Sequence, residues 1–490
     1  MVYQLRSYFL CLLLFFMPLS GQAKPKPATT VAAAIQAAKN NKLLQPASIG
    51  FYAMNLTTGK VIGDVNATKS MIPASTLKLL TTAAALETLG KDFQFKTTIQ
   101  YDGEIDKHGT LHGNIYIKGG GDPALGSQEF PDYYYQPHFI TTWVQAIQAQ
   151  GIKKITGAVI GDAQIYAESM IPATWVVEDL GEYYGTGASG LSIFDNLYKI
   201  TLQAGSEGEA ASLIDVTPSI PEEIQIISYA TGASIDREKT CIKGFPYQPL
   251  RIIQGKIPYG EPVTLKASSP DPACWAAYTL HRALQEQAIQ VTQSPTTIRR
   301  AELTSAARND LLTTLSPPLW QIIKIINHKS LNGYTEHLLK HLGLVTAGAG
   351  DTSSGTQALK QFWESRGIDI TGMLLFDGSG LSRYNALTPK QLVEALAYMK
   401  HSANFSFFYE ALPIVGETGN VAGFCQQPSL KGHLRAKSGY LANARGFAGY
   451  GANQKGDEIA FALLVNHYDG SSEEARKALE EILEVVVSQK

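Results

Sequence analysis

Ile72-Pro73-Ala74-Ser75-Thr76-Leu77-Lys78, followed by the largely apolar run Leu79 to Leu89, is the stretch whose reading decides the fold. The run predicts a helix, with Pro73 near its first turn and Gly90 as its stop signal. At i and i+3, Ser75 and Lys78 share one face of that helix. The positive end of the helix dipole favours negative charge developing at the serine. A serine hydroxyl is a weak nucleophile until a neighbouring base takes its proton, and a desolvated lysine can be that base. An S-x-x-K tetrad also arises by chance at ordinary helix starts, so its meaning depends on partners elsewhere in the chain.

Two partners lie downstream. Ser330-Leu331-Asn332 follows Trp320 to Lys329 and precedes a helical-looking Tyr334 to Leu342. Such an S-x-N triplet offers a second hydroxyl to relay a proton and an amide to hold an acyl chain. Ser402-Ala403-Asn404 fits the same pattern, but it sits in a polar, aromatic, loop-like stretch with no flanking signature. Lys437-Ser438-Gly439 is the only K-[ST]-G in the chain. The residues after it, Tyr440 to Tyr450, alternate partly like a strand, so an edge strand can carry the triplet beside a substrate. Lys437 supplies charge, Ser438 a hydroxyl, and Gly439 close backbone approach.

These three motifs, in this order, resemble the S-x-x-K, S-x-N and K-T-G set of penicillin-recognising serine enzymes, with serine in place of threonine in the last. Lys118-Gly119-Gly120-Gly121-Asp122-Pro123, Gly161-Asp162, Phe376 to Arg383, and Leu412-Pro413 with Gly416 and Gly419 narrow the resemblance. Together they are similar to the low-molecular-mass class C penicillin-binding proteins, the D-alanyl-D-alanine carboxypeptidase/endopeptidase family (type 4). The likeness covers nearly the whole mature chain and is weakest from Thr201 to Tyr259.

That resemblance implies an α+β fold: a discontinuous DD-transpeptidase/β-lactamase-like domain, its antiparallel sheet flanked by helices, with a large mostly-β insert. The expected layout is a signal peptide over 1–23, a catalytic domain over 24–94 and 301–490, and inserted domains over 95–300. Within the insert, 95–165 with 266–300 forms a second domain and 166–265 a nested third. Residue patterns agree. Ala47 to Met54 and Val61 to Gly63 flank Thr57-Thr58-Gly59, a hairpin signature. Gly446 to Tyr450 and Glu458 to Asn466 flank a second hairpin turn, and Ser471 to Val487 reads as an amphipathic helix with glutamates in its first turn. The two ends of the chain should therefore meet in one sheet.

The resemblance also implies chemistry. Ser75 is the expected nucleophile, Lys78 the general base and Ser330 the proton relay, with Asn332 on the acyl side. Lys437 and Ser438 would bind the leaving group's carboxylate, Gly439 would let the backbone approach the substrate, and the N–H of Tyr440 would join that of Ser75 in an oxyanion hole. Arg383 and Asp162 are expected to read the distal diamino acid of a peptide stem, one its carboxylate and the other its amine. Expected partners are peptidoglycan peptides, with β-lactams as covalent inhibitors. No cofactor or metal is expected. Rival readings are a β-lactamase or esterase on the same fold, and a catalytically silent wall-binding protein. The family's balance between carboxypeptidase and endopeptidase action, β-lactam preference and oligomeric state stay open.

Composition bounds these expectations. A chain of 490 residues holds more than one core. Its formal net charge is -2, and no basic stripe suggests nucleic acid. Arg6, the apolar Tyr8 to Leu19 and Gly21-Gln22-Ala23 read as a cleaved secretory signal, which points to the periplasm without a stable membrane anchor. Cys241 and Cys274 are candidates to pair in an oxidising compartment, or to stay free. His337 and His341 stand at i and i+4 but lack an H-E-x-x-H frame, so they read as helix-surface residues rather than zinc ligands. Lys118 to Asp122 lacks the G-K-[ST] ending of a phosphate cradle and reads as a tight turn after a strand.

Overall fold

The first and last parts of the chain build one antiparallel sheet, as the hairpin patterns predict. The computed structural model describes residues 30–301 and 307–488; the expected signal peptide lies outside them. β1 (Ser48–Asn55) and β2 (Val61–Val65) come from the start of the chain. β3 (Leu434–Leu441), β4 (Ala444–Ala452) and β5 (Glu458–Asn466) come from the end, in the spatial order β3-β4-β5-β1-β2. The join is β5 against β1, running from Ser48 opposite Asn466 to Asn55 opposite Ile459. β3 lies at the sheet's edge, where the K-[ST]-G triplet was expected.

The helices that frame this sheet and the site are α1 (Val31–Ala38), α2 (Lys78–Leu89), α3 (Leu319–Lys329), α4 (Asn332–Ala347) and α5 (Ser472–Val487). Side chains on a strand alternate between its two faces. Ala460, Ala462 and Leu464 of β5 therefore join Leu79, Leu80 and Ala83 of α2 in one core. Ile459, Phe461, Leu463 and Val465 join Val31 and Ile35 of α1 and Leu479 and Ile482 of α5 in the other. With both faces covered, β5 is buried from Ile459 onward. Each buried Ile, Leu, Val or Phe among them contributes roughly 1.5–3 kcal/mol through removal from water.

α2 is a central helix, buried from Lys78 through Leu86. A helix that is apolar nearly all round has no solvent face. Gly90 ends it with φ 85°, as its sequence signal predicts. The α5 capping box forms between Ser471 and Glu474.

Among the described residues, the region between α2 and α3 makes four further sheets, so the insert is rich in strands as expected. One sheet orders Thr296–Thr297, Val159–Asp162, Ile115–Lys118, Lys96–Tyr101 and Asn309–Leu315. Leu197–Gln203 with Ser212–Thr217 and Val263–Ser268 forms another, and Gln225–Ala233, Leu250–Pro258 and Lys239–Lys243 a third.

Three expectations change, and the cysteine pairing that the sequence left open is decided. Asn309–Leu315 lies past the expected border at 300, yet it pairs with Lys96–Tyr101 and belongs to the insert's sheet. The insert also holds the helices Phe139–Ala149 and Pro272–Glu286. The second starts on an Asp271 side chain that accepts the Cys274 N–H at 3.1 Å, with Pro272 at its first position, signals hidden among the region's turn residues. Cys241 and Cys274 are both free; Cys274 sits beside Glu223 and Arg300. His337 and His341 are buried, not on a surface, because the insert covers that face of α4. The His337 ring nitrogens lie 2.7 Å from the Gly333 carbonyl oxygen and 2.8 Å from Ser192 Oγ. Burial depresses both histidines to about 4.

Candidate active site

Ser75 lies in a 3-10 turn, Ala74–Leu77, that runs directly into α2. Two neighbouring segments close on this turn. A Cβ on Gly380 would collide with the Ala74 carbonyl, and one on Gly439 would stand 2.6 Å from Pro73 O and 3.1 Å from Ser75 N. Only glycine permits that approach. Ala74 itself has φ 47°, the left-handed region that a non-glycine residue enters under strain.

Lys78, fully buried, donates from Nζ to Ser75 Oγ at 2.9 Å, Asn332 Oδ1 at 2.6 Å and the Ser379 carbonyl at 2.7 Å. Desolvation lowers its pKa to about 7, against the opposing pull of the Asp377 and Glu336 carboxylates. The result is an amine poised to take a proton near neutrality, held against the serine that would give one.

Ser330 is placed by a break in helix geometry. It terminates α3 in the left-handed conformation, φ 61° and ψ 40°, and the chain then enters α4 at Asn332. Its Oγ accepts from Lys437 Nζ at 2.9 Å. Lys437 is buried too, and its pKa is driven well down by burial and then by the charge of Lys78. Asn332 turns its oxygen to Lys78, and its Nδ2 donates to the Tyr184 carbonyl at 2.8 Å. Its amide is thus engaged on both sides, chiefly in fixing Lys78.

A cleft of about 490 Å³ opens over these groups, lined among others by Ser75, Ser330, Asn332, Ser438, Tyr440 and Arg383. Lys78 and Lys437 lie buried behind the two serines they bond. Asp162 is elsewhere. It ends the strand Val159–Asp162, its carboxylate takes Arg308 at 2.7 Å and the Gln164 N–H at 3.1 Å, and it does not line the cleft. The carboxylate that does face Arg383 across the cleft is Asp179, held by the Tyr184 hydroxyl at 3.2 Å. Burial raises the Asp179 pKa, while the Tyr184 hydrogen bond and then the charge of Arg383 draw it back.

Sequence reasoning missed this aspartate, along with Glu336 and the role of Asp377. Asp179 sits in Val176-Val177-Glu178-Asp179-Leu180-Gly181, where nothing marks it over its neighbour Glu178. Glu336, one turn into α4 and fully buried, accepts from the N–H of Gly378 at 3.1 Å and of Ser379 at 2.8 Å. Burial and the charge of Asp377 push it up to about 8. Asp377 ties the same loop together, taking the N–H of Gly380 at 2.8 Å and the Trp175 indole at 2.9 Å. The second S-x-N triplet is structural: Ser402 and Asn404 both donate to Glu87.

A model of the D-Ala-D-Ala carboxypeptidase 3 (S13) family matches residues 31–486. The chain belongs to that family. As an S13 peptidase it is a serine-type D-Ala-D-Ala carboxypeptidase by class. It is 26% identical over 444 residues to the D-alanyl-D-alanine carboxypeptidase DacB of Haemophilus influenzae, spanning 89% of this chain and 88% of that protein. It is 25% identical over 473 residues to the D-alanyl-D-alanine carboxypeptidase of Actinomadura sp. (strain R39), spanning 92% of this chain and 84% of that protein. The crystal structure of penicillin binding protein 4 (dacB) from Haemophilus influenzae superposes with a TM-score of 0.79 at 25% identity, covering 92% of this chain and 98% of that one. The fold is therefore the α+β architecture of penicillin-binding S13 peptidases. Among the described residues no helix is long and apolar enough to cross a membrane.

Proposed function

We propose that this S13 peptidase is an exported DD-peptidase that cleaves peptidoglycan stem peptides or crosslinks through a Ser75 acyl-enzyme, and that β-lactams acylate the same serine. The observation that carries the reading is the contact of a buried, near-neutral Lys78 with Ser75 Oγ at 2.9 Å. Ser75 Oγ attacks the carbonyl carbon between two D-alanine units while its proton passes to Lys78. The N–H groups of Ser75 and Tyr440 receive the oxyanion. The C–N bond then breaks, and a proton delivered through Ser330, tethered by Lys437, leaves with the amine. Water hydrolyses the ester, returning the free serine and a carboxylic acid.

Asp179 takes the place in this reading that the sequence reserved for Asp162. With Arg383 it forms an acid–base pair at one end of the cleft, suited to a zwitterionic diamino-acid head: the amine to Asp179, the carboxylate to Arg383. The insert thus supplies part of substrate recognition, since Asp179, Tyr183 and Tyr184 all come from it.

Mass spectrometry of purified muropeptides after incubation tests the proposal. Release of terminal D-alanine, or conversion of dimers to monomers, together with a penicillin adduct on Ser75 is the expected result. A Ser75→Ala protein that kept full peptidase activity would sink it.

A further inference from the structure

A second cavity, about 420 Å³, lies on the other side of the β3 edge and is lined by Asn420, Ser438, Phe447, Glu473, Arg445 and Arg476 among others. Asn420 and Ser438 also line the catalytic cleft, so the two spaces adjoin at the hydroxyl of the K-[ST]-G triplet. Strand register explains the placement. Ser438 pairs with Phe447 and Tyr440 with Arg445, and side chains two apart share a face, which puts Ser438, Tyr440, Arg445 and Phe447 on the α5 side of the sheet. The Arg445 guanidinium covers the Tyr440 ring at 4.3 Å. Arg476, from α5, donates to the Gly423 carbonyl at 2.6 Å, while its buried Nε has no partner among the described residues.

Two guanidiniums in one partly buried space repel each other. Arg445 is held below its ordinary value first by burial, against the opposing pull of Tyr468, which it bonds, and of Tyr440, with the charge of Arg476 a lesser contribution in the same direction as burial. The cavity's one acidic residue, Glu473, lies 3.4 Å from Lys477 on the same helix. The space therefore favours an anion. A lone D-alanine leaving group would place its only carboxylate at Ser438 and leave this volume empty. A leaving group that continues past that carboxylate, into a peptide with further carboxylates, would fill it.

We propose that this cavity is a leaving-side subsite for an acidic peptide, in which Arg445 and Arg476 bind carboxylates of the second stem of a crosslinked dimer. The subsite equips the enzyme for crosslink cleavage beyond removal of single D-alanines. This rests on the DD-peptidase reading above.

The test compares two substrates on the full protein: a crosslinked muropeptide dimer and a pentapeptide monomer of the same stem. Arg445→Gln with Arg476→Gln should lower kcat/KM on the dimer at least tenfold and on the monomer less than threefold. Amidating the second stem's carboxylates other than the one beside the cleaved bond should produce the same selective loss with the unaltered protein. Arg476 also holds Gly423, so Arg445→Gln alone is a second variant, expected to give a smaller loss of the same selectivity. Penicillin labelling of Ser75 reports whether each variant keeps its catalytic cleft. Equal losses on both substrates, no loss on either, or indifference to amidation would overturn the subsite. If the unaltered protein cleaves neither substrate and takes no penicillin, the DD-peptidase reading itself fails.

Discussion

Lys78 is the group whose protonation should govern Ser75, and pH is the perturbation that isolates it. An ordinary lysine titrates near 10.4, so at pH 7 roughly four molecules in ten thousand carry a neutral amine. Burial brings Lys78 to about 7, so about half of the molecules hold a competent base at that pH. The gain is about a thousandfold in base concentration, or about 4 kcal/mol of barrier. Acylation needs the neutral amine, so its rate should fall about tenfold per pH unit below 7 and level off above 8. Stopped-flow acylation by a chromogenic penicillin from pH 5 to 9, at constant ionic strength, measures this directly. The expected profile is about a hundredfold slower at pH 5 than at the plateau. A rate that kept rising through pH 9 would mean a solvated lysine. A flat profile would mean that another group takes the proton. Either result refutes the assignment.

Three further outcomes follow from the same geometry. Glu336→Ala would leave the Gly378 and Ser379 N–H groups buried without an acceptor, at a cost of about 1–3 kcal/mol each. Thermal melting should show the loss, and penicillin acylation should slow with it, because Ser379 O anchors Lys78. Asp179→Asn should lower kcat/KM roughly ten- to a hundredfold on stems bearing a diamino acid, and far less on D-alanyl-D-alanine peptides without one. His337 and His341 titrate near 4 when folded and near 6.5 when unfolded, so the unfolded chain binds more protons between those values. Stability should be full above pH 6.5 and fall on acidification through that window, by up to about 3 kcal/mol per histidine. Chemical denaturation at pH 7 and pH 4.5 checks the sign, and His337→Gln should flatten the difference.

Local signals carried most of the fold of the catalytic part. Gly90, Gly59 and Ser471 each mark an element's end by a conformation or cap that the residue itself favours, and each does so in the structure. The three motifs were legible because their spacing places known chemistry on a helix start, an interhelical turn and an edge strand. Asp162 and Asp179 show the opposite case. Both are aspartates among turn residues, and no local pattern tells them apart. One spends its charge on Arg308, while the other lines the cleft opposite Arg383.

The sequence by itself determined which residues can act: a serine and a lysine three apart, a second serine with an asparagine, and a lysine on a strand that only glycine lets approach. The tertiary structure alone decided how they act. Contacts such as Lys78 to Asn332 and Lys437 to Ser330 join residues far apart in the chain, and their strength depends on water being excluded. That exclusion comes from α2, α4 and the sheet packing together, and it is what brings Lys78 to about 7 and drives Lys437 well below the ordinary lysine range. A pKa belongs to an environment, not to a residue type, so no reading of the tetrad alone could supply it.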